Sequence, residues 1–292
     1  MALIEEPLLE SAALARRLAP DLCRRNPATG DNCSWLHGFW QCLRLMELAA
    51  APDRHADFYR RAFDSVTGSG GPPRLLISGA ADYSMLAHLI TAFRARGVEP
   101  AVTVIDVCGT PLFLNRWYAE RVACEIDTEQ CSLLDFRPKA AFDAVCTHSF
   151  LGQVAREHRL RLVAAWHRLL RAGGLAITAH PLRPWGADEP NRFTPEQADA
   201  FRTGVSSRAA ALLEALDATA GEIMQQAERY LGARYGYPVR SGEELHELFG
   251  HAGFEVSYLA CGPVAADVQT GAGGPGLRNS KVQYASVIAI RT

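Results

Sequence analysis

No stretch of this 292-residue sequence contains the roughly 18 uninterrupted apolar residues of a membrane span. Nor does Met1–Glu10, which carries Glu5 and Glu6, lead a basic region into an apolar run as a secretory signal does. A cytoplasmic protein is the expectation. Positive charge is not in excess: 30 basic against 32 acidic residues give a formal net charge of −2. Nucleic-acid binders cluster basic residues, so a polyanion partner is disfavoured. The expected partner is a small-molecule substrate, with no nucleic acid and no membrane, taken up by a monomer or homodimer. Internal repeats and low-complexity tracts are lacking as well.

A tight Cys-x-x-Cys pair is also missing. Cys23, Cys33, His37 and Cys42 gather in the N-terminal part, and Cys33 and His37 share a helical face, but Cys42 falls on roughly the opposite one. No metal is expected on this pattern. The 8 cysteines, several inside apparent strands or helices (Cys42, Cys146, Cys261), read as buried, reduced thiols rather than a disulfide framework.

What is present is an ordinary globular composition, 48% hydrophobic and 21% charged. The length suits one large α/β domain with an appendage. From Pro73 onward short apolar runs alternate with amphipathic stretches, the pattern of a parallel sheet covered by helices. Strands are expected at Leu75–Ser78, Ala101–Ile105, Glu129–Leu133, Phe142–Thr147 and, after the Gly173-Gly174 turn, Leu175–Ala179. Helices fall between them at Tyr83–Arg96, Pro111–Val122 and Leu160–Leu170. Two helices outside the sheet, Pro195–Leu216 and Gly221–Leu231, occupy an insertion at about 181–238. A helix over Ser241–Ala252 follows, where Ser241 and Glu244 match a capping box. Two last strands, Phe254–Ala260 and Val282–Ile290, are joined by the glycine-rich Gly271–Gly276 loop. Residues 1–71 offer only helices, around Leu8–Leu18, Ser34–Ala50 and His55–Val66, and form a separate lid or substrate region ahead of the 72–292 domain.

Ligands of open α/β sheets bind beyond the carboxyl ends of the strands. After the first strand, Gly79, Ala80, Ala81 and Asp82 form a small-residue turn into a helix, where backbone N–H groups face a polar ligand. After the second comes Asp106, followed by Val107, an acceptor placed for two ribose hydroxyls. After the third come Leu134, Asp135 and Phe136, where a carboxylate accepts from an adenine amino group while its neighbours sandwich the ring. Taken singly each feature is more simply a tight turn or a helix cap. Their positions at three successive strand ends are harder to explain that way.

With these residues in that order, the chain from Arg74 to Thr292 resembles the class I S-adenosylmethionine-dependent methyltransferases. The resemblance implies a Rossmann-like, seven-stranded, mostly parallel sheet of order 3-2-1-4-5-7-6, last strand antiparallel, flanked by helices. It also implies S-adenosylmethionine as cofactor and S-adenosylhomocysteine as product. On it, Leu75–Tyr83 is the glycine-rich first motif, Asp106 the ribose-binding acid, Asp135 the adenine-contacting acid, and Phe142–Leu151 the motif bordering the methyl donor, with His148 and Ser149 beside the cofactor. Leu169–Ile177 looks like the family's turn into the fifth strand. The first motif departs from the pattern at Ile77, Ala81 and Tyr83; Tyr83 would crowd the cofactor's amino-acid end unless its ring points away.

His148 and His180 end the fourth and fifth strands and are candidate general bases, against the simpler reading that one packs and the other bonds a loop. The N-terminal helices and the insertion are expected to lie over the strand ends as a lid that chooses the substrate. Trp35, His37 and Trp40, with Arg183, Trp185, Tyr230, Tyr235 and Tyr237, are candidate acceptor-pocket residues; the plainer reading is that these rings dock helices. Methyl transfer to an oxygen or nitrogen of a small molecule is the leading expectation. Two alternatives stand beside it. One is non-methylating chemistry on the same cofactor, cleavage, cyclisation or aminocarboxypropyl transfer; the other is a binding protein without catalysis.

Overall fold

The runs Leu75–Ser78 and Phe142–Thr147 are apolar without alternation, as a strand buried on both faces requires. In the computed structural model, which describes residues 4–25, 30–49, 51–68, 70–184, 189–263 and 283–292, they form the two central strands of a seven-stranded sheet. The strands are β1 (Arg74–Ser78), β2 (Ala101–Asp106), β3 (Ile126–Gln130), β4 (Phe142–His148), β5 (Leu170–Pro181), β6 (Phe254–Pro263) and β7 (Gln283–Arg291). Their order is β3-β2-β1-β4-β5-β7-β6, with β1 to β5 parallel and β7 antiparallel to both its neighbours. The sheet is the one expected. Trp185 and Gly271–Gly276 lie outside the described residues.

Alternation along the strands sorts the helices. Leu75 and Ile77 face one core with α4 (Ala56–Asp64), α5 (Ser84–Arg94) and α6 (Gly109–Arg121), whereas Leu76 and Val145 face a second with α7 (Arg156–Leu169) and α10 (Gly242–His251). A third core lies off the sheet. In it Phe39, Cys42 and Leu43, from the N-terminal helices, interleave with Phe201, Val205, Ile223 and Tyr230 from the insertion helices α8 (Pro195–Ala209) and α9 (Ala220–Ala233). The two segments added to the sheet are therefore one packed unit. The remaining N-terminal helices are α1 (Leu8–Leu22), α2 (Ser34–His37) and α3 (Trp40–Leu45).

Several expected boundaries move for physical reasons. β3 sits three residues earlier than its pattern suggests, because an edge strand with mostly exposed side chains carries no apolar run to mark it. β5 begins at Leu170, before the glycine pair; Leu170 pairs with Phe142 and Leu175 with Ala144, so residues 171–174 bulge out of the ladder with Gly173 at φ 72°. The helix expected over Ser34–Ala50 breaks into α2 and α3 at Gly38, the weakest helix former in the stretch, and the break lets Trp35 and Phe39 both meet the Tyr230 ring edge-on. Ser241 Oγ accepts from Glu244 N at 3.2 Å, but the Glu244 carboxylate turns to Arg240 N (2.7 Å) and to the buried Arg159 (2.9 Å). Reciprocal boxes close instead at Thr194/Gln197 and Thr219/Glu222, at the starts of α8 and α9.

All 8 cysteines are free; Cys42 and Cys146 are buried as expected, while Cys261 is exposed because β6 is an edge strand. Among the described residues no helix is long and apolar enough to cross a membrane.

Candidate active site

β1, β2 and β4 end together, and beyond them opens a cavity of about 450 Å³. The β1 end turns on Gly79, whose φ of 70° lies where an L side chain is strained. Its N–H donates to Ile105 O at 3.2 Å, tying the turn to β2. A Cβ added there would stand 2.7 Å from the Phe150 ring. Gly79→Ala is therefore expected to destabilise the fold by about 2 kcal/mol or more, since the left-handed backbone alone costs about 1–2 kcal/mol. Urea unfolding checks this, and an unchanged midpoint would refute it.

Asp106 ends β2 and lines the cavity, with Oδ1 accepting from Cys108 N at 2.8 Å. Burial, opposed by His37 and by that N–H, raises its carboxyl to about 6. Tyr83 does point away. Its ring stacks on Tyr118 at 4.6 Å, its hydroxyl meets Ser11 Oγ at 2.9 Å, and it is fully buried outside the cavity. Asp82 lines the cavity, but both its oxygens are engaged: Oδ1 accepts from Ser84 N (2.9 Å) at the start of α5, and Oδ2 pairs with Arg44 (2.8 Å). It works as a helix cap and counterion.

β4 delivers Thr147, His148 and Ser149 to the same cavity. Tyr59 Oη lies 3.0 Å from Thr147 O and 2.9 Å from His148 Nδ1. A carbonyl only accepts, so the single Tyr59 proton goes to Thr147 O and His148 Nδ1 must donate to Tyr59. His148 Nε2 then carries a bare lone pair, and it has no hydrogen-bond partner among the described residues. Burial, with His55 and His180 nearby, holds this imidazole well below its usual pKa, so it is neutral at pH 7. Thr147 Oγ1 is likewise buried and unpaired, and Ser149 sits at φ 54° beside the Tyr284 hydroxyl. Unpaired buried polar atoms and a strained residue thus gather where β4 meets the cavity.

His180 is placed differently. It is fully buried outside the cavity, and its Nε2 accepts from Leu151 N at 3.0 Å, so the nitrogen that would serve as a base is occupied in holding a turn. Gly79, Ala80, Ala81 and Val107 line the cavity beside Asp106, as the strand-end reading proposes. Leu134, Asp135 and Phe136 do not. Asp135 is exposed, and Phe136 is turned into the core against Phe142, 6.2 Å between centroids, because the segment after β3 folds into a turn with Asp135 N and Phe136 N on Ser132 O.

On the acceptor side, His37 and Trp40 reach the cavity from the N-terminal helices and the half-exposed Tyr235 from the end of α9. Trp35 lies outside it, edge-on to Tyr230 at 5.9 Å, and Tyr230 itself is core. Arg183 is buried near Gly236 and is not a cavity residue. Sequence reasoning missed Pro52, Met85, Gln153 and Arg234, whose Nη1 donates to Gln153 Oε1 at 2.6 Å. No local pattern marks them, because elements far apart in sequence bring them together. It also missed Cys108, which stands beside Cys23, Cys33 and His37 in the place the sequence suggested for Cys42; Cys42 is sealed in the off-sheet core.

No protein-family model and no curated protein matches the sequence. The fold does have counterparts among solved structures. The structure is similar to the (4+2)-cyclase SpnF, with a TM-score of 0.53 at 15% identity, covering 97% of this chain and 93% of that one. It is also similar to magnesium protoporphyrin IX methyltransferase from Synechocystis, solved with S-adenosylhomocysteine bound, with a TM-score of 0.50 at 11% identity, covering 97% and 100%. A sheet of order 3-2-1-4-5-7-6 with its helical layers is the class I S-adenosylmethionine-dependent methyltransferase fold, and this chain has it.

Proposed function

We propose that the chain binds S-adenosylmethionine in the cavity beyond β1, β2 and β4 and transfers its methyl group to an oxygen or nitrogen of a small molecule. The observation that carries this reading is the convergence of the Gly79 turn, the Asp106 carboxylate and His148 on one cavity of about 450 Å³. That volume falls in the range of about 300–1,000 Å³ that suits small ligands. The residues fit the cofactor: Asp106 offers acceptors for a ribose, Gly79, Ala80 and Ala81 line the same cavity with small side chains, and Tyr83 is out of the way. Asp135 is not needed for the fit, since adenine can lie against Val107 and neighbouring apolar side chains. When bound, the sulfonium supplies an activated methyl group.

The chain's own part is orientation and water exclusion. His37, Trp40 and Tyr235 wall the acceptor side from the packed lid. His148 Nε2, neutral and without a partner among the described residues, accepts a hydrogen bond from an acceptor hydroxyl or amine and so fixes the lone pair that reacts. Its depressed pKa makes it a weak base. This suits alignment, with the proton leaving as the methyl group arrives.

Calorimetry with S-adenosylhomocysteine tests the reading. Binding is expected, with Asp106→Ala weaker by about 10–100-fold, the loss of a charge-assisted pair of hydrogen bonds at about 1.5–3 kcal/mol. Methyl-labelled cofactor incubated with a small-molecule extract should then give labelled product and S-adenosylhomocysteine. Absence of adenosyl binding at millimolar concentration would overturn the reading. Methylthioadenosine as product would instead point to non-methylating chemistry on the same cofactor.

A further inference from the structure

Four side chains from three separate segments meet at one wall of the cavity, three of them lining it and Cys23 behind them. Cys23 follows α1, Cys33 precedes α2, His37 ends α2, and Cys108 lies in the turn between β2 and α6; their donor atoms all lie within 4.8 Å of one another. Cys23, His37 and Cys108 are buried and Cys33 is half-buried. We infer that Cys23, Cys33, His37 and Cys108 form a tetrahedral zinc site that clips the N-terminal helices to the end of β2.

The spacing fits the ion. Donors about 2.3 Å (sulfur) and 2.0–2.1 Å (nitrogen) from a tetrahedral zinc stand about 3.5–3.8 Å from one another. Cys23 Sγ is 3.5 Å from His37 Nδ1, and Cys33 Sγ is 3.5 Å from Cys108 Sγ. Three soft sulfurs with one imidazole select zinc over magnesium or calcium, which take oxygen ligands. A set of four protein ligands is closed, so its role is structural.

The surroundings are built for it. Thr110 Oγ1 lies 3.2 Å from Cys23 Sγ as an outer-shell donor. Asn32 Oδ1 accepts from Ser34 N at 3.0 Å, which fixes the α2 start between Cys33 and His37. The α1 end and the β2–α6 turn touch through backbone: a Cβ on Gly109 would lie 2.8 Å from Leu22 O, so the residue after Cys108 has to be glycine for Cys23 to come this close. A disulfide explains less, because it uses two of three thiols, needs sulfurs about 2.05 Å apart and leaves the imidazole without a role. Cys33, His37 and Cys108 also line the cavity, so the clip sets the wall two residues from Asp106.

Elemental analysis of protein purified without added metal tests this independently of any activity. About one zinc per chain is expected, as a closed four-ligand site holds its ion through purification. Cys33→Ser and Cys108→Ser should lose it, and Cys131→Ser should keep it. Should those variants fail to fold, wild-type protein stripped by chelation under reducing conditions and titrated with cobalt(II) gives the answer. Intense visible absorption and a sulfur-to-cobalt charge-transfer band are expected from tetrahedral thiolate ligation. Retention of zinc in Cys33→Ser and Cys108→Ser, a cobalt spectrum without these features, or a Cys33–Cys108 disulfide in metal-free native protein would each overturn the site.

Discussion

Lowering the pH from 7 is expected to unfold the protein near pH 5, above the range in which ordinary carboxylates titrate. Burial pushes His55 and His88 down to about 4 and His180 to about 3, and holds His148 well below its usual value. In the unfolded chain these imidazoles titrate near about 6.5. A histidine depressed by folding contributes stability that is intact above the unfolded value and is lost as the pH falls towards the folded one, because in that window the unfolded chain binds the extra proton. At about 1.4 kcal/mol per pH unit, each such group withdraws on the order of 3 kcal/mol by pH 4, and the four together reach the roughly 5–15 kcal/mol that holds a domain folded.

The structural cause is plain at His180, whose Nε2 accepts the Leu151 N–H; a proton there sets donor against donor. The check is a circular-dichroism titration from pH 7.5 to 3, with the protein kept metal-free throughout so that loss of an ion does not add to the curve. His180→Gln, which can still accept from Leu151 without titrating, should move the midpoint to lower pH. A midpoint below about pH 3.5 would mean that paired carboxylates, not these histidines, set acid stability.

Arg44→Met is expected to destabilise the protein by about 3–5 kcal/mol, the cost of leaving buried charge uncompensated. Arg44 joins the N-terminal segment to the turn that follows β1. Its guanidinium pairs with Asp82 (2.8 Å) and Glu6 (2.8 Å), and the three side chains are 3%, 4% and 11% exposed, so solvent does not screen them. Burial alone would raise the Glu6 carboxyl, but Arg44 brings it below its usual value, so its contribution holds at neutral pH and disappears only on acidification through that lowered value. The same contact ties α3 to the helix that starts beside Gly79, and its loss should loosen the cavity wall. Chemical denaturation measures the loss. Arg44→Met combined with Asp82→Asn and Glu6→Gln should recover much of it, since the side-chain amide oxygen introduced at position 82 can still cap α5 and neither of the two partner carboxylates is left unpaired. A single variant within about 1 kcal/mol of wild type would show that water reaches these carboxylates, as in a surface pair.

Much of this molecule was legible in the sequence because its signals are local. Leu75–Ser78 and Phe142–Thr147 are continuous apolar runs, and only a doubly covered strand needs them. Gly79 and Asp106 follow such runs directly, so finding the strand ends located the cavity. β3 was misplaced for the opposite reason: an edge strand buries little and leaves no period. Asp135 follows that strand in sequence, where a ligand-facing acid is expected, but a backbone turn directs it to solvent.

Short windows of the chain were enough to set the order of strands and helices, and with it the class of fold and the end of the sheet where the cavity opens, since each follows from apolar periodicity and turn residues. Three-dimensional packing was needed to place His148 rather than His180 at the cavity, to turn Tyr83 aside to Tyr118, and to bring Cys108 rather than Cys42 to Cys23, Cys33 and His37. Those outcomes depend on contacts between segments tens of residues apart, formed when the N-terminal and inserted helices pack into their own core, and no local window carries them.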